Sequence, residues 1–318
     1  MNVVAPIALQ SRLAPGVTIG LVNNASGSAL LATERQFARG MRMPLRLFTC
    51  PEIARDRPPH GADGAPYERF DDLFACGLDA LIVTGLQPRA ARLQDEPAWS
   101  SLARIADWAA RHDVPVLWSC LAAHAAVLRL DGIARTRLPR KLSGVFPCAV
   151  AAPGHPLMRG LARGWAHPHS RYNDLAEAAL VARGYRILSR SPRAGVDVFA
   201  GPLAGPGRFV FFQGHPEYEA ETLLAEYRRD LLRTLRGGGG PPPAPPSGVL
   251  PAATEAALGR LAADDSEAAL RLLDNAAVTA PWQPRAARLF GNWLAGFAPN
   301  LAPGLAPDLW ASLAVAGM

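Results

Sequence analysis

The chain has 318 residues, of which 49% are hydrophobic, enough to bury a substantial core in one large domain or two small ones. Its formal charge of +6 comes from 33 basic and 27 acidic residues, with no long basic block, which argues against a nucleic-acid binder. Four cysteines at 50, 76, 120 and 148 show no CxxC spacing, so neither a disulfide framework nor a metal site is expected. With no signal-like start and no apolar run long enough to span a bilayer, a soluble, cytoplasmic protein is the expectation.

Residues 17–22 (VTIGLV) read as a first strand, followed by a polar turn at 23–28 and a helix over 29–39. A second short strand is expected at 45–50. The loop 51–66 is dense in proline, glycine and charge. A short helix at 67–76 leads to an apolar strand at 80–83 that ends in Thr84-Gly85. After a loop at 86–96, residues 99–111 place Leu102, Ile105, Trp108 and Ala109 at helical spacing.

The next unit, 113–130 (DVPVLWSCLAAHAAVLRL), organises the chain. A buried-strand pattern runs into a helix former free of glycine and proline, with Cys120 at the junction. A thiol on such a turn stands clear of the backbone, and a helix N-terminus favours its thiolate. Alternating strand and helix up to this point predicts α/β architecture: a mostly parallel sheet with helices on both faces.

Further on, 135–141 (RTRLPRK) is basic, with Arg135, Arg137, Arg140 and Lys141 able to attract an anionic ligand or to form a solvated face. Short strands are expected at 142–150, 178–181, 185–189, 195–200 and 209–212. The last runs into Gly214-His215-Pro216-Glu217. Ligands in such sheets bind beyond the carboxyl ends of the strands, so a base at one strand end can meet a thiol at another. Glu217, two residues on, can hold the second imidazole nitrogen.

A helix over 218–236 follows. The stretch 237–250 (GGGGPPPAPPSGVL) is a low-complexity linker expected without regular structure. A helical C-terminal segment covers 251–318: one alanine-rich helix over 252–273, another over 285–294, and an apolar tail at 301–318. Residues 281–295 are expected to pack back on the main domain, 1–236.

Several pieces in a common order resemble one family. They are TERQF (33–37), LIVTG (81–85), the Cys120 unit, KLSGVF (141–146), PHSRY (168–172), GHPEYEAETLLAEYRRDL (214–231) and W-x-x-x-A-x-x-L-F-x-N-W-L (282–294). The chain resembles the homoserine O-acyltransferases of methionine biosynthesis, specifically the homoserine O-succinyltransferase type. That resemblance implies a fold like class I glutamine amidotransferases, a flavodoxin-like three-layer sandwich, and a homodimer. It implies acyl-CoA as co-substrate, no permanently bound cofactor or metal, and homoserine or a similar hydroxy amino acid as acceptor.

By the same resemblance Cys120 takes the acyl group, His215 is the base and Glu217 orients it. Arg229 binds the acceptor carboxylate, and Arg171 and Glu226 match other active-site positions. Backbone amides at Leu86 and Leu121 are candidates for the oxyanion. There are departures. Residues 24–28 (NASGS) stand where the family has a Met-Pro-Lys turn, so a family lysine is missing. Leu121 and Ala122 stand where the family has tryptophan and glycine (or alanine), and His124 replaces glutamine. Arg89 falls near the position that selects the acyl group and could pair with a succinyl carboxylate. A serine acyltransferase, an amidotransferase-like Cys-His-Glu hydrolase and a non-catalytic relative stay open.

Overall fold

The computed structural model describes residues 17–53, 59–161, 165–202, 208–237 and 241–298. The expected tail at 301–318 lies outside them. The four short strands β1 (Ile19–Val22), β3 (Ala80–Val83), β4 (Val116–Ser119) and β9 (Phe209–Phe212) are buried along their whole length. That is why their sequences are continuous apolar runs: both faces of each strand are covered. Successive side chains alternate between two cores. Leu81, Val83, Val116 and Trp118 face the helices α2 (Trp99–His112) and α3 (Leu121–Asp131). Ala80, Ile82, Leu117 and Phe212 face α1 (Ala29–Met41) and α8 (Gln283–Phe297). Phe290 of α8 meets Phe37 of α1 and Phe212 of β9, each at a ring separation of 6.2 Å.

Nine strands form one sheet, completed by β2 (Arg46–Phe48), β5 (Thr136–Val150), β6 (Trp165–Asp174), β7 (Arg186–Ser191) and β8 (Gly195–Ala200), in the order β2-β1-β3-β4-β9-β8-β7-β5-β6. The five strands from β2 to β9 are parallel, and every pairing beyond β9 is antiparallel. The sheet is therefore mixed. Parallel neighbours need a long crossover, and the short connection from β7 to β8 leaves only the antiparallel option.

Four local expectations are corrected. Residues 178–181 belong to a helix, α4 (Glu177–Ala182), whose single buried residue is Leu180. A four-residue apolar run does not separate strand from helix by period alone. The basic stretch from Thr136 onward is continuous with β5, which pairs along β6 with a register shift between Arg137 and Leu142. The helix expected from 218 starts only at Thr222, as α5 (Thr222–Leu235). The helix expected over 252–273 is two, α6 (Ala252–Asp264) and α7 (Ser266–Asp274). Asp265 leaves helical geometry and its carboxylate accepts from Ala268 N at 2.9 Å, capping α7. Within the low-complexity stretch, Ser247 bonds the backbone of β5 through Ser143 O (3.0 Å) and Val145 N (2.8 Å). Leu258 and Ala262 of α6 and Ala269 and Leu273 of α7 pack on Leu224, Tyr227 and Leu231 of α5.

Candidate active site

The pairing of β4 with β9 builds the site. Ser119 is the register partner of Phe212, and Cys120 N donates to Phe212 O at 2.7 Å. The two strands are parallel, so both end at the same edge, and the turns that follow lie side by side. One carries Cys120 and the other carries His215. His215 is tied in place by its own N–H, which donates to Pro168 O on β6 at 2.7 Å.

Cys120 sits at φ 55°, ψ −119°, between a buried strand and the first residue of α3. A non-glycine residue at positive φ is strained, and the packing of both neighbouring elements maintains it. The strain lifts the thiol off the strand toward a cavity of about 370 Å³ that Cys120, His215 and Glu217 line together. A strand–turn–helix of this shape is the usual mount of an exposed nucleophile. Gly85 closes the opposite side. A Cβ at Gly85 would lie 2.8 Å from Leu121 N and 3.2 Å from Cys120 Cβ, so only glycine permits this approach. Asn24 holds that turn: its N–H donates to Thr84 Oγ1 (2.9 Å), its amide donates to Thr84 O (3.0 Å), and its Oδ1 accepts from Cys50 N (3.1 Å). The amide of Leu121 opens α3 and has no acceptor one turn earlier, so it is directed at the cavity end of the helix.

His215 Nδ1 lies 2.8 Å from Glu217 Oε1, and its ring stacks on Tyr218 at 4.2 Å and 17°. Burial works against charge on the imidazole, but Glu217 and the Cys120 sulfur outweigh it and hold His215 well above the usual histidine range. Tyr218 in turn donates to Glu226 Oε1 at 2.6 Å. Glu226 also takes Ser170 Oγ and, at 3.1 Å, Lys141 Nζ, which reaches Asp230 at 2.8 Å. Burial raises the Glu226 carboxyl, yet Lys141, Ser170, Tyr218 and His215 together bring it down to about 2. Glu226 is thus an anion inside a hydrogen-bonded ring that carries the stacking partner of His215.

The remaining expected residues divide. Arg229 lines the cavity with its side chain 46% exposed, tied only loosely to Asp230 at 3.3 Å. Arg171 also lines it but is buried, its guanidinium given to Asn173 O at 2.6 Å, Ala194 O and Asp174 at 3.0 Å. Arg89 and Leu86 lie in the loop after β3 at the cavity wall. The loop is fixed by Glu96, which accepts from Arg89 N at 3.0 Å and Ala90 N at 3.1 Å and pairs with the buried Arg135 at 3.2 Å. His124 is buried against Gln213, 2.9 Å from Nε2 to Oε1, and burial lowers its pKa to about 3, so it stays neutral.

Sequence reasoning missed Ser170 and Tyr218 as parts of the site, and read Lys141 as one of a basic stretch for an anionic ligand or a solvated face, where its side chain is in fact spent on Glu226 and Asp230. A signal was present: Glu226 and Asp230 stand one helical turn apart on α5, and two carboxylates largely buried on one face require a cation. That cation, Lys141, comes from β5, while residues 24–28 bring no lysine.

Comparison with known proteins gives a family and a fold. A family model described as homoserine O-succinyltransferase matches residues 8–298. A protein of that name from Methylorubrum extorquens is 45% identical over 302 residues, covering 91% of this chain and 88% of its own. Another from Bradyrhizobium japonicum is 47% identical over 250 residues, 76% of each chain. In fold, the chain is similar to a glutamine amidotransferase from Thermotoga maritima, with a TM-score of 0.52 at 12% identity over 87% of this chain and 98% of that one.

Proposed function

This chain belongs to the homoserine O-succinyltransferase family, and on that premise we propose that it moves an acyl group from succinyl-CoA or acetyl-CoA to the side-chain hydroxyl of homoserine or a related amino acid. The Cys120 sulfur attacks the thioester carbonyl, the CoA thiol leaves with a proton, and an acyl-Cys120 thioester remains. The amides of Leu121 and Leu86 receive the oxyanion, each such donor being worth about 3 kcal/mol. The acceptor hydroxyl then enters, His215 takes its proton, and the alkoxide displaces the sulfur. Glu217 holds the imidazole by Nδ1, leaving Nε2 for the proton. Arg229, charged and accessible at the cavity wall, suits the acceptor carboxylate.

The observation that carries this reading is the strained Cys120 turn in register beside the His215 turn, with Glu217 already bonded to the base. Intact-mass measurement tests it. Incubation with an acyl-CoA is expected to add one acyl group to the wild type and none to Cys120→Ala, and homoserine should discharge it. An adduct of equal yield in Cys120→Ala removes Cys120 from the reaction. Turnover of glutamine without any acyl-enzyme would favour the second reading, an amide hydrolase, which the amidotransferase-like fold keeps in view.

A further inference from the structure

Behind the His215 turn lies a second set of reactive side chains that the acyl-transfer reading does not use. Cys148 of β5, His169 of β6 and Asp197 of β8 each present one ligand atom, and these atoms all lie within 4.8 Å of one another. His169 and Asp197 are fully buried, with His169 Nε2 3.3 Å from Asp197 Oδ1. Both ring nitrogens of His169 lack a hydrogen-bond partner. Nδ1 thus has no polar partner and Nε2 meets only the Asp197 carboxylate, without hydrogen-bond geometry; a buried imidazole so incompletely satisfied is costly, and such groups in proteins are completed by a bond or by a ligand.

We propose that Cys148, His169 and Asp197 bind one Zn2+ ion. The donor set is sulfur, nitrogen and oxygen, the combination that zinc accepts and that the harder Mg2+ and Ca2+ do not. Two donors at zinc bond lengths in tetrahedral geometry stand about 3.3 Å apart for N and O, which is the spacing of His169 and Asp197. Charge closes the argument. On binding, the Cys148 thiol gives its proton to solvent, and one thiolate plus one carboxylate balance the two positive charges of the ion. The buried site is then neutral.

The carboxylate is also oriented as a ligand needs to be. His167 Nδ1 pairs with Asp197 Oδ1, Ser189 Oγ donates to Oδ2 at 2.8 Å, and Trp165 Nε1 donates to Ser189 at 3.0 Å. Such outer partners fix a ligand's direction and tune its basicity. The ion would join three strands directly behind the base. A Cβ at Gly214 would lie 2.9 Å from both Asp197 Oδ1 and His167 Nδ1, so the turn that carries His215 rests on this cluster. Sequence spacing gives no sign of such a site, because its three ligands come from three strands.

The test uses the full chain, stripped with a chelator under reducing conditions and then titrated with Zn2+ alone. One Zn2+ per chain is expected, with a raised melting temperature. Substitution by Co2+ should give the thiolate charge-transfer absorption of a cysteine ligand. Cys148→Ser and His169→Gln should each weaken binding by 100-fold or more, while Cys120→Ser keeps one ion per chain. No zinc on the wild type overturns the proposal. So does a Co2+ spectrum without the thiolate band, a measurement that needs no variant to fold. Undiminished binding by Cys148→Ser, or binding lost in Cys120→Ser, would put the ion elsewhere and overturn it equally.

Discussion

Two histidine–carboxylate pairs stand back to back in this molecule, and they differ in what surrounds them. In both, a carboxylate oxygen meets Nδ1 of an imidazole: Glu217 with His215, and Asp197 with His167. The first pair borders the cavity and keeps a small exposure of 10% and 4%, next to a thiol on a strained turn. The second has none, and Trp165, Ser189 and Phe212 enclose it. The pairing is the same, so access makes the difference. A base must exchange its proton with a substrate, while an enclosed pair can only hold strands together or hold an ion.

The largest effect that separates them belongs to Glu217→Gln. It keeps the size of the side chain and removes the charge that orients and polarises His215. Acyl transfer is expected to fall by about 10²–10⁴-fold, measured as kcat/KM with homoserine. The pH dependence of stability has a definite sign. His215 is raised in the folded state, so its contribution is fully present below the unfolded value of about 6.5 and is lost as pH rises through the folded value. Glu217→Gln should therefore destabilise most on the acid side of pH 6.5 and least at alkaline pH. A destabilisation that grows with pH would contradict the ion pair.

Asp197→Asn should do the reverse. Asp197 is a buried carboxylate that His167 and Ser189 bond, and losing hydrogen bonds to a buried charged group costs about 1.5–3 kcal/mol, read from urea unfolding of the full chain. The surviving folded protein should keep its kcat/KM within about tenfold, because the Asp197 carboxylate lies behind the Gly214 turn and bonds His167 and Ser189, not His215. If Asp197→Asn lost activity as Glu217→Gln does, with stability unchanged, the division between a working pair and a holding pair would fail.

The same two pairs show what the sequence makes legible. His215 and Glu217 are two residues apart in a strand-end motif, and Cys120 marks a strand–helix junction, so local pattern reaches all three. The parallel half of the sheet was equally plain, since its strands are continuous apolar runs covered on both faces. His167 and Asp197 are 30 residues apart, and Lys141 reaches Glu226 across 85. Their meeting depends on how β5 and β6 pair and fold against the sheet, which no local period encodes. In the antiparallel half β7, β8 and the second part of β5 were legible as short strands, whereas β6 (Trp165–Asp174), whose inward side chains are largely polar and meet partners from other strands, was not. Helix ends failed where a single side chain decides, as Asp265 does between α6 and α7.

The smallest effect concerns the two arginines beside the loop after β3. Arg135 is buried and fixed: its guanidinium bonds Glu96 at 3.2 Å and Ala90 O at 2.8 Å, and Glu96 holds the backbone of Arg89 and Ala90. Among the described residues Arg89 is held by its backbone alone, with an exposed side chain at the cavity wall. A free, solvated cation on a fixed loop can meet the distal carboxylate of a succinyl group, and it has nothing comparable to meet on an acetyl group. An exposed charge pair is worth about 1 kcal/mol or less. Arg89→Ala should therefore lower kcat/KM for succinyl-CoA by up to about fivefold relative to acetyl-CoA, with stability unchanged. The ratio of the two donors in competition is the measurement. Were that ratio the same in Arg89→Ala and wild type, Arg89 would have no part in choosing the donor, and the choice would rest with side chains deeper in the cavity.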